Sequence, residues 1–565
     1  MWNILEEVSE SSVVQNLRQM GASRSSQASY GDEGEVEIVC PFCHAPKARY
    51  YLPRKESPYG EFCCPDCPER TLGDLLEAIG LEPYEARVTP RFFVDEGILY
   101  DQIVALEETL AKRDVYTLNG RLVRMGISEK PVVMTFEDTA LYLSSELTWL
   151  MRDKRSTPPR VREVDPPRRL VKALLGLSEH PKLPALVAYS RHPLLDERGC
   201  LVDPGYWPSK QIYLSYDPAK FSMFSQVTKE EAQESLSLIE EFLSEFLFQN
   251  PQDSAAAISA VLTAVIRPLL PAAPLFAAVS SLSGAGKSCL SEVLAAIASG
   301  SRGASVTLPK TEVEMQKLLL AALSAGPQVL YFDNVTELED FPSLCTVLTQ
   351  GRISGRELGK SQVMQADTRC FFLASGNWLE IPGDLRRRVI PIVLDAPDKP
   401  EQRTFRVPDL VEAALDSRPQ LVVAALKIMS YSRTQNNLNL RPIAGYTTWS
   451  EFCREPLIRL GLPEPATRLF QNLSAEDPQR SRLRRLYQQI EAVFGQRQFT
   501  SKSIQVAAQK NEALSEVLEE LEVLTNGRKL GRLLSKMNTY CVGGYQLQRL
   551  ETYVIPTYII KTERE

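Results

Sequence analysis

The sequence predicts a multidomain α/β protein: an N-terminal zinc ribbon, a central P-loop three-layer α/β core with helical flanks, and a C-terminal winged helix. Three observations predict it. Two Cys-x-x-Cys knuckles, Cys40–Cys43 and Cys64–Cys67, stand twenty residues apart near the N-terminus. An apolar run, Leu275–Val279, passes through a glycine-rich loop into the helix-forming run Cys289–Ala298. The last stretch carries short helical patterns, a basic amphipathic segment and glycine-separated strand-like pieces.

At 565 residues the chain exceeds what one hydrophobic core holds and fits about three to five domains. Its net charge of −7 excludes a globally basic, DNA-coating protein but leaves room for local basic faces. No apolar run is long enough to cross a bilayer, so no membrane partner is expected. The first residues carry early acids and no signal-peptide core, and the expectation is a cytoplasmic protein of a bacterial host. Five of the eleven cysteines crowd into Cys40–Cys67, which argues against a disulfide scaffold.

The two knuckles read as a tetrahedral thiolate site for Zn²⁺ held by Cys40, Cys43, Cys64 and Cys67. Between them, Ala48–Pro53 and Tyr59–Cys63 read as a β-hairpin, with Cys63 and His44 as neighbours outside the ligand set. Cys40-Pro-Phe-Cys43, Phe62-Cys-Cys64-Pro-Asp-Cys67 and the following Gly73-Asp74 apolar helix resemble the zinc-binding domain of bacterial and phage DNA primases. The resemblance covers residues 1–85 and implies template binding; Cys43 stands where that family usually has His.

Residues 86–230 show no carboxylate cluster of the kind that two-metal polymerisation needs. Ser190-Arg-His192 faintly resembles an archaeal-type primase motif, but no Asp-x-Asp run precedes it, and His192 reads as a loop residue. The basic stretch Arg152–Lys172 reads as a DNA face or a solvated linker, its prolines favouring the linker. Leu236–Leu247 and Ser254–Leu270 read as helices leading into the core.

In Ser281-Leu-Ser-Gly-Ala-Gly-Lys287-Ser288 the backbone N–H groups would cradle phosphates, Lys287 would reach the β/γ-phosphates, and Ser288 would hold Mg²⁺. Ser283, Gly284, Ala285, Gly286, Lys287, Ser288 and Cys289 are the candidate ATP contacts. Ser281 replaces the usual first glycine. About 45 residues on, the apolar run Gln328–Phe332 ends in Asp333, the second Mg²⁺-organising carboxylate. Asn334 follows where a glutamate is usual, leaving Asn334 with Asp333, or Glu337, to orient the attacking water. A third strand, Thr368–Asn377, ends in Asn377, a candidate γ-phosphate or water contact. Arg386, Arg387 and Arg388 precede a short apolar strand; Arg387 or Arg388 would enter a neighbouring subunit's site.

This order resembles the AAA+ superfamily-three helicases of phages, plasmids and genomic islands, over residues 270–395. The matching residues are Gly286-Lys287-Ser288, Asp333-Asn334, Ser375-Gly-Asn377 and Asp384-Leu-Arg-Arg387-Arg388. The resemblance implies an ATP hydrolase that unwinds DNA and initiates replication of a mobile element. It also implies a homo-hexameric ring, single-stranded and origin-duplex DNA as partners, and replication accessory proteins. Arg352, Arg356 and Lys360 match the family's pore-facing hairpin and are candidate DNA contacts. Asp165–Leu175, Leu183–Val187, Pro193–Asp196 and Gly205-Tyr206 resemble the segment that precedes this ATPase in such helicases.

The expected domains are 1–85 (zinc), 86–230 (helicase-associated), 231–400 (AAA+ core with leading helices), 401–475 (helical) and 476–565 (winged helix). In the last, Ser481–Phe494, Thr500–Gln509 and Ala513–Leu521 read as helices. Arg528–Met537 reads as a basic recognition helix bearing Arg528, Lys529, Arg532 and Lys536, and Gly543-Gly544 separates two strand-like pieces, Tyr540–Val542 and Tyr553–Tyr558. Two other readings stay open: a DNA-binding nucleotide switch or loader that does not unwind, and a primase-helicase with a degenerate primase centre.

Overall fold

The computed structural model describes residues 5–6, 35–38, 40, 42–43, 48–51, 61–68, 72–78, 89–126, 130–153, 160–177, 179–356, 363–377, 379–395, 406–474, 478–521, 523–538, 541–542, 544–550 and 555–562. It is a multidomain α/β protein with a parallel central sheet. Among the described residues no helix is long and apolar enough to cross a membrane.

Near the N-terminus, Glu35–Ile38, Ala48–Tyr51 and Glu61–Cys63 form an antiparallel sheet, followed by the helix Leu72–Ala78. The hairpin between the knuckles is therefore present as expected. Farther on, Arg91–Val94, Thr148–Asp153 and Arg160–Glu163 share a sheet with Leu5–Glu6. Phe92, Trp149, Leu110 and Leu174 bury its core. The linker reading of Arg152–Lys172 is corrected for the described part of that stretch. Arg152 lies in the strand Thr148–Asp153 and pairs with Asp95 at 3.3 Å, and Arg168–Leu175 is a helix. Pro167 sits at its N-cap, where a missing N–H costs nothing because no intrahelical acceptor exists.

The central sheet has five strands, labelled β1 (Leu275–Ser280), β2 (Ser305–Val306), β3 (Val329–Phe332), β4 (Phe371–Asn377) and β5 (Val389–Val393). Their spatial order is β2-β3-β4-β1-β5, all parallel. β1 and β4 are apolar along almost their whole length because the sheet is covered on both faces. Helix α1 (Lys287–Ser299) packs on one face with Lys229–Leu243, Pro251–Ile266 and Arg418–Arg433. Helix α2 (Glu312–Ser324) and Pro342–Thr349 cover the other. The hairpin Arg352–Arg356/Val363–Asp367 leaves the sheet between β3 and β4.

At the C-terminal end, helices Pro478–Phe494, Ser501–Ala508, Glu512–Glu520 and Gly527–Lys536 enclose a separate core with a sheet of three antiparallel strands. The expectation of two strands is corrected. Tyr545–Leu550 is a strand between Cys541–Val542 and Thr557–Thr562. Its single well-buried residue, Leu547, gave too little apolar alternation to read.

Candidate nucleotide-binding site

Parallel pairing decides which residues meet. Ser280 of β1 lies opposite Asn377 of β4, and Phe332 of β3 lies opposite Ala374. Hence Ser280, Asp333 and Asn377 gather at the carboxyl edge of the sheet, where open α/β sheets bind ligands. From Ser280 the chain turns into α1. Gly284 and Gly286 have φ of +80° and +92°, a left-handed conformation that L side chains avoid. Gly286 caps α1, and a Cβ there would stand 3.6 Å from the ring of Phe246. The first amides of α1 lack intrahelical acceptors and carry the positive end of the helix dipole.

Lys287 Nζ donates to the Leu282 carbonyl at 2.9 Å, bending the side chain back over the loop. Burial holds its pKa below the usual lysine range, with the Asp333 carboxylate opposing. Ser288 Oγ donates to Asp333 Oδ1 at 2.9 Å, so the loop-helix and β3 touch directly. Burial pushes the Asp333 carboxyl up, but hydroxyl donors from Ser375, Tyr331 and Ser288 outweigh it and hold the group below the carboxylate range. A hydroxyl beside a carboxylate is an all-oxygen donor pair, which fits Mg²⁺.

The sequence assigns Tyr331 no role, and it carries Ser375 only as part of the Ser375-Gly-Asn377 motif. Tyr331 OH donates to Asp333 Oδ1 at 2.6 Å, and Ser375 Oγ donates to the same oxygen. The signal was present: strand alternation places residues i and i+2 on one face, which pairs Tyr331 with Asp333 and Ser375 with Asn377.

Asn334 adopts φ +53° and is exposed, as is Glu337. Asn377 reaches the edge with a buried Oδ1 that has no hydrogen-bond partner among the described residues. Cys289 packs partly against the core, and burial pushes its thiol up to about 11. Arg387 is exposed and pairs with Asp384 at 2.7 Å, whereas the Arg388 side chain is only 12% exposed and donates to the Asp384 carbonyl. On the hairpin, Arg352 and Arg356 are exposed, and Arg352 lies 3.7 Å from Asp367. Lys360 lies outside the described residues.

The opposite end of α1 is closed by arginines. Arg418 Nε donates to the Ile297 carbonyl at 2.8 Å, and Arg191 donates to the carbonyls of Ser299 and Gly300 at 3.0 and 3.3 Å. Arg418 also donates to His192 Nδ1 at 2.7 Å, which leaves Nε2–H to donate to the Val265 carbonyl at 2.8 Å. His192 lies in a loop, as expected, and is there a fully buried cross-link with both nitrogens engaged. Burial, aided by Arg418, pushes its pKa down to about 3.

Two further clusters lie apart. The sulfurs of Cys40, Cys43, Cys64 and Cys67 all fall within 4.8 Å of one another, with Cys40–Cys67 and Cys43–Cys64 at 3.5 Å. Zn–S bonds of about 2.3 Å set tetrahedral sulfur separations of roughly 3.8 Å, so the four thiols fit zinc. Arg528, Lys529, Arg532 and Lys536 are exposed on one helix whose other face buries Leu530 and Leu534. The Asn526 side chain caps that helix.

No family description matches the sequence, and no curated protein does. Among solved structures, two of the NrS-1 C-terminal region align at 11% identity. One covers 72% of this chain and 92% of that one with a TM-score of 0.30; the other covers 81% and 100% with 0.32. The JCV helicase aligns at 12% identity over 41% of this chain and 66% of its own, with a TM-score of 0.20.

Proposed function

We propose that the chain is an ATP-dependent DNA helicase and replication initiator of a mobile genetic element, working as a hexameric ring. The observation that carries the nucleotide site is the Ser288–Asp333 contact at the carboxyl edge of a parallel sheet ordered β2-β3-β4-β1-β5. Loop amides and the N-terminus of α1 bind phosphate oxygens. Lys287 leaves its carbonyl partner for the β/γ-phosphates, and Ser288 and Asp333 hold Mg²⁺. The metal, when bound, neutralises charge on the phosphate oxygens. Asn377, whose buried Oδ1 is unmatched among the described residues, contacts the γ-phosphate or the attacking water. Arg387 is the arginine for a neighbouring subunit's site, because Arg388 is largely buried in its own.

Residues 1–85 form the zinc-binding domain, 86–230 the helicase-associated region, 231–400 the core, 401–475 the helical region and 476–565 a winged helix. The basic helix of that last domain enters the major groove, and Arg352 and Arg356 contact the threaded strand. Purified protein then carries about one zinc per chain, and a Cys40→Ser/Cys67→Ser double variant loses it.

ATP-dependent unwinding of forked DNA, with Lys287→Ala as control, tests the reading. Unwinding by wild type alone supports it; DNA-stimulated hydrolysis without unwinding sinks the helicase assignment. Asn334 favours a second reading, a nucleotide switch or loader: an exposed amide stands where a carboxylate base is usual, which suits slow hydrolysis.

A further inference from the structure

We infer that Tyr331 and Ser375 are positioning residues that aim the Asp333 carboxylate at the metal-nucleotide complex. The inference rests on the proposed nucleotide site and adds two groups to it. Three hydroxyls converge on the single oxygen Asp333 Oδ1: Tyr331 at 2.6 Å, Ser288 at 2.9 Å, and Ser375 closer still. Tyr331 and Ser375 also touch each other, with their oxygens 2.8 Å apart. Neither can reach a ligand, because each is 1% exposed. Their action is therefore exerted through Asp333.

Three donors on one oxygen fix the rotation of the carboxylate and direct its second oxygen away from the cluster. The backbone enforces the same arrangement. Asn334 turns left-handed, and Val335 N–H returns to the Ser375 carbonyl at 2.8 Å. Position 376 must be glycine, since a Cβ there would fall 1.8 Å from the Val335 carbonyl oxygen. That close approach brings Ser375 within reach of Asp333. The hydroxyl pair thus ties the end of β3 to β4 two residues before Asn377, so the carboxylate and the Asn377 amide share one rigid frame. Outer partners of this kind orient the groups that hold a metal, and their loss costs roughly 10–100-fold in metal affinity.

The test uses full-length wild type, Tyr331→Phe and Ser375→Ala, both of which keep the local volume. ADP affinity is measured by calorimetry in EDTA and again in Mg²⁺, alongside the thermal midpoint. The expected result is an unchanged affinity in EDTA and a Mg²⁺-dependent tightening reduced on the order of tenfold in each variant. The double variant should lose little more than either single one, because the two hydroxyls act on one oxygen. Equal weakening with and without Mg²⁺ would mean that the pair only supports the fold and would overturn the inference. So would a full Mg²⁺ effect in both variants. If wild type fails to bind ADP, the nucleotide site itself falls, an outcome distinct from the other two.

Discussion

At the C-terminal end of α1, Arg418 and Arg191 donate to the carbonyls of Ile297, Ser299 and Gly300, and both nitrogens of His192 are engaged. At the N-terminal end, Lys287 donates to one backbone carbonyl, the first amides of the helix lack intrahelical acceptors, and Asn377 Oδ1 has no hydrogen-bond partner among the described residues. The two ends of one helix use buried polar groups in opposite ways. At the closed end Arg418, Arg191 and His192 all bond to the protein itself, which makes it a rigid mount. The open end keeps capacity in reserve, and reserve capacity beside a helix N-terminus is what an anion requires. Residue type does not separate them, since both ends contain cations; the degree of satisfaction does.

The comparison breaks most decisively at Lys287. Lys287→Ala should lower ATP turnover by 10²–10³-fold or more, on the order of the loss of one preorganised transition-state donor. Circular dichroism should remain unchanged, because among the described residues the lysine hydrogen-bonds just to the loop carbonyl of Leu282. Normal turnover by a folded Lys287→Ala protein would remove the site.

At the closed end the cost should fall on stability. Arg418→Ala strands the Ile297 carbonyl and His192 Nδ1 in the interior, where each orphaned buried group costs roughly 1–3 kcal/mol. A loss of about 3 kcal/mol or more in denaturant unfolding is expected. An Arg418→Ala protein as stable as wild type would show that the mount is dispensable. Arg191→Ala removes donors from less buried carbonyls and should cost about 1–2 kcal/mol.

Much of the open end was legible because its chemistry imposes spacing: glycines before Lys287-Ser288, and an apolar strand ending in Asp333. The knuckles were legible for the same reason, since a tetrahedral metal fixes ligand intervals. What stayed hidden depends on contacts between distant segments. Arg418 meets His192 across more than two hundred residues, and no periodicity announces that. Tyr331 was hidden more lightly, two positions from Asp333, and Ser375 stood inside a matched motif with no role read for it. The strand Tyr545–Leu550 escaped because its residues are mostly half-exposed, so a period of two never emerged.

The smallest and most specific test is the pH dependence of the closed end. His192 has a folded pKa near 3, pushed down by burial and Arg418, against an ordinary value of about 6.5. Between those values the unfolded chain binds a proton that the folded chain refuses. Stability therefore falls as pH drops through that window and is unaffected by this group above it. The contribution amounts to at most about 1.4 kcal/mol per pH unit. His192→Gln has no titrating ring, so its unfolding midpoint should be flatter than that of wild type between pH 6.5 and 4. The difference between the two curves isolates His192 from the carboxylates that titrate in both. Parallel curves would mean that the imidazole is protonated in the folded protein. Arg418 could not then donate to it, and the closed end of α1 would have to be held together in some other way.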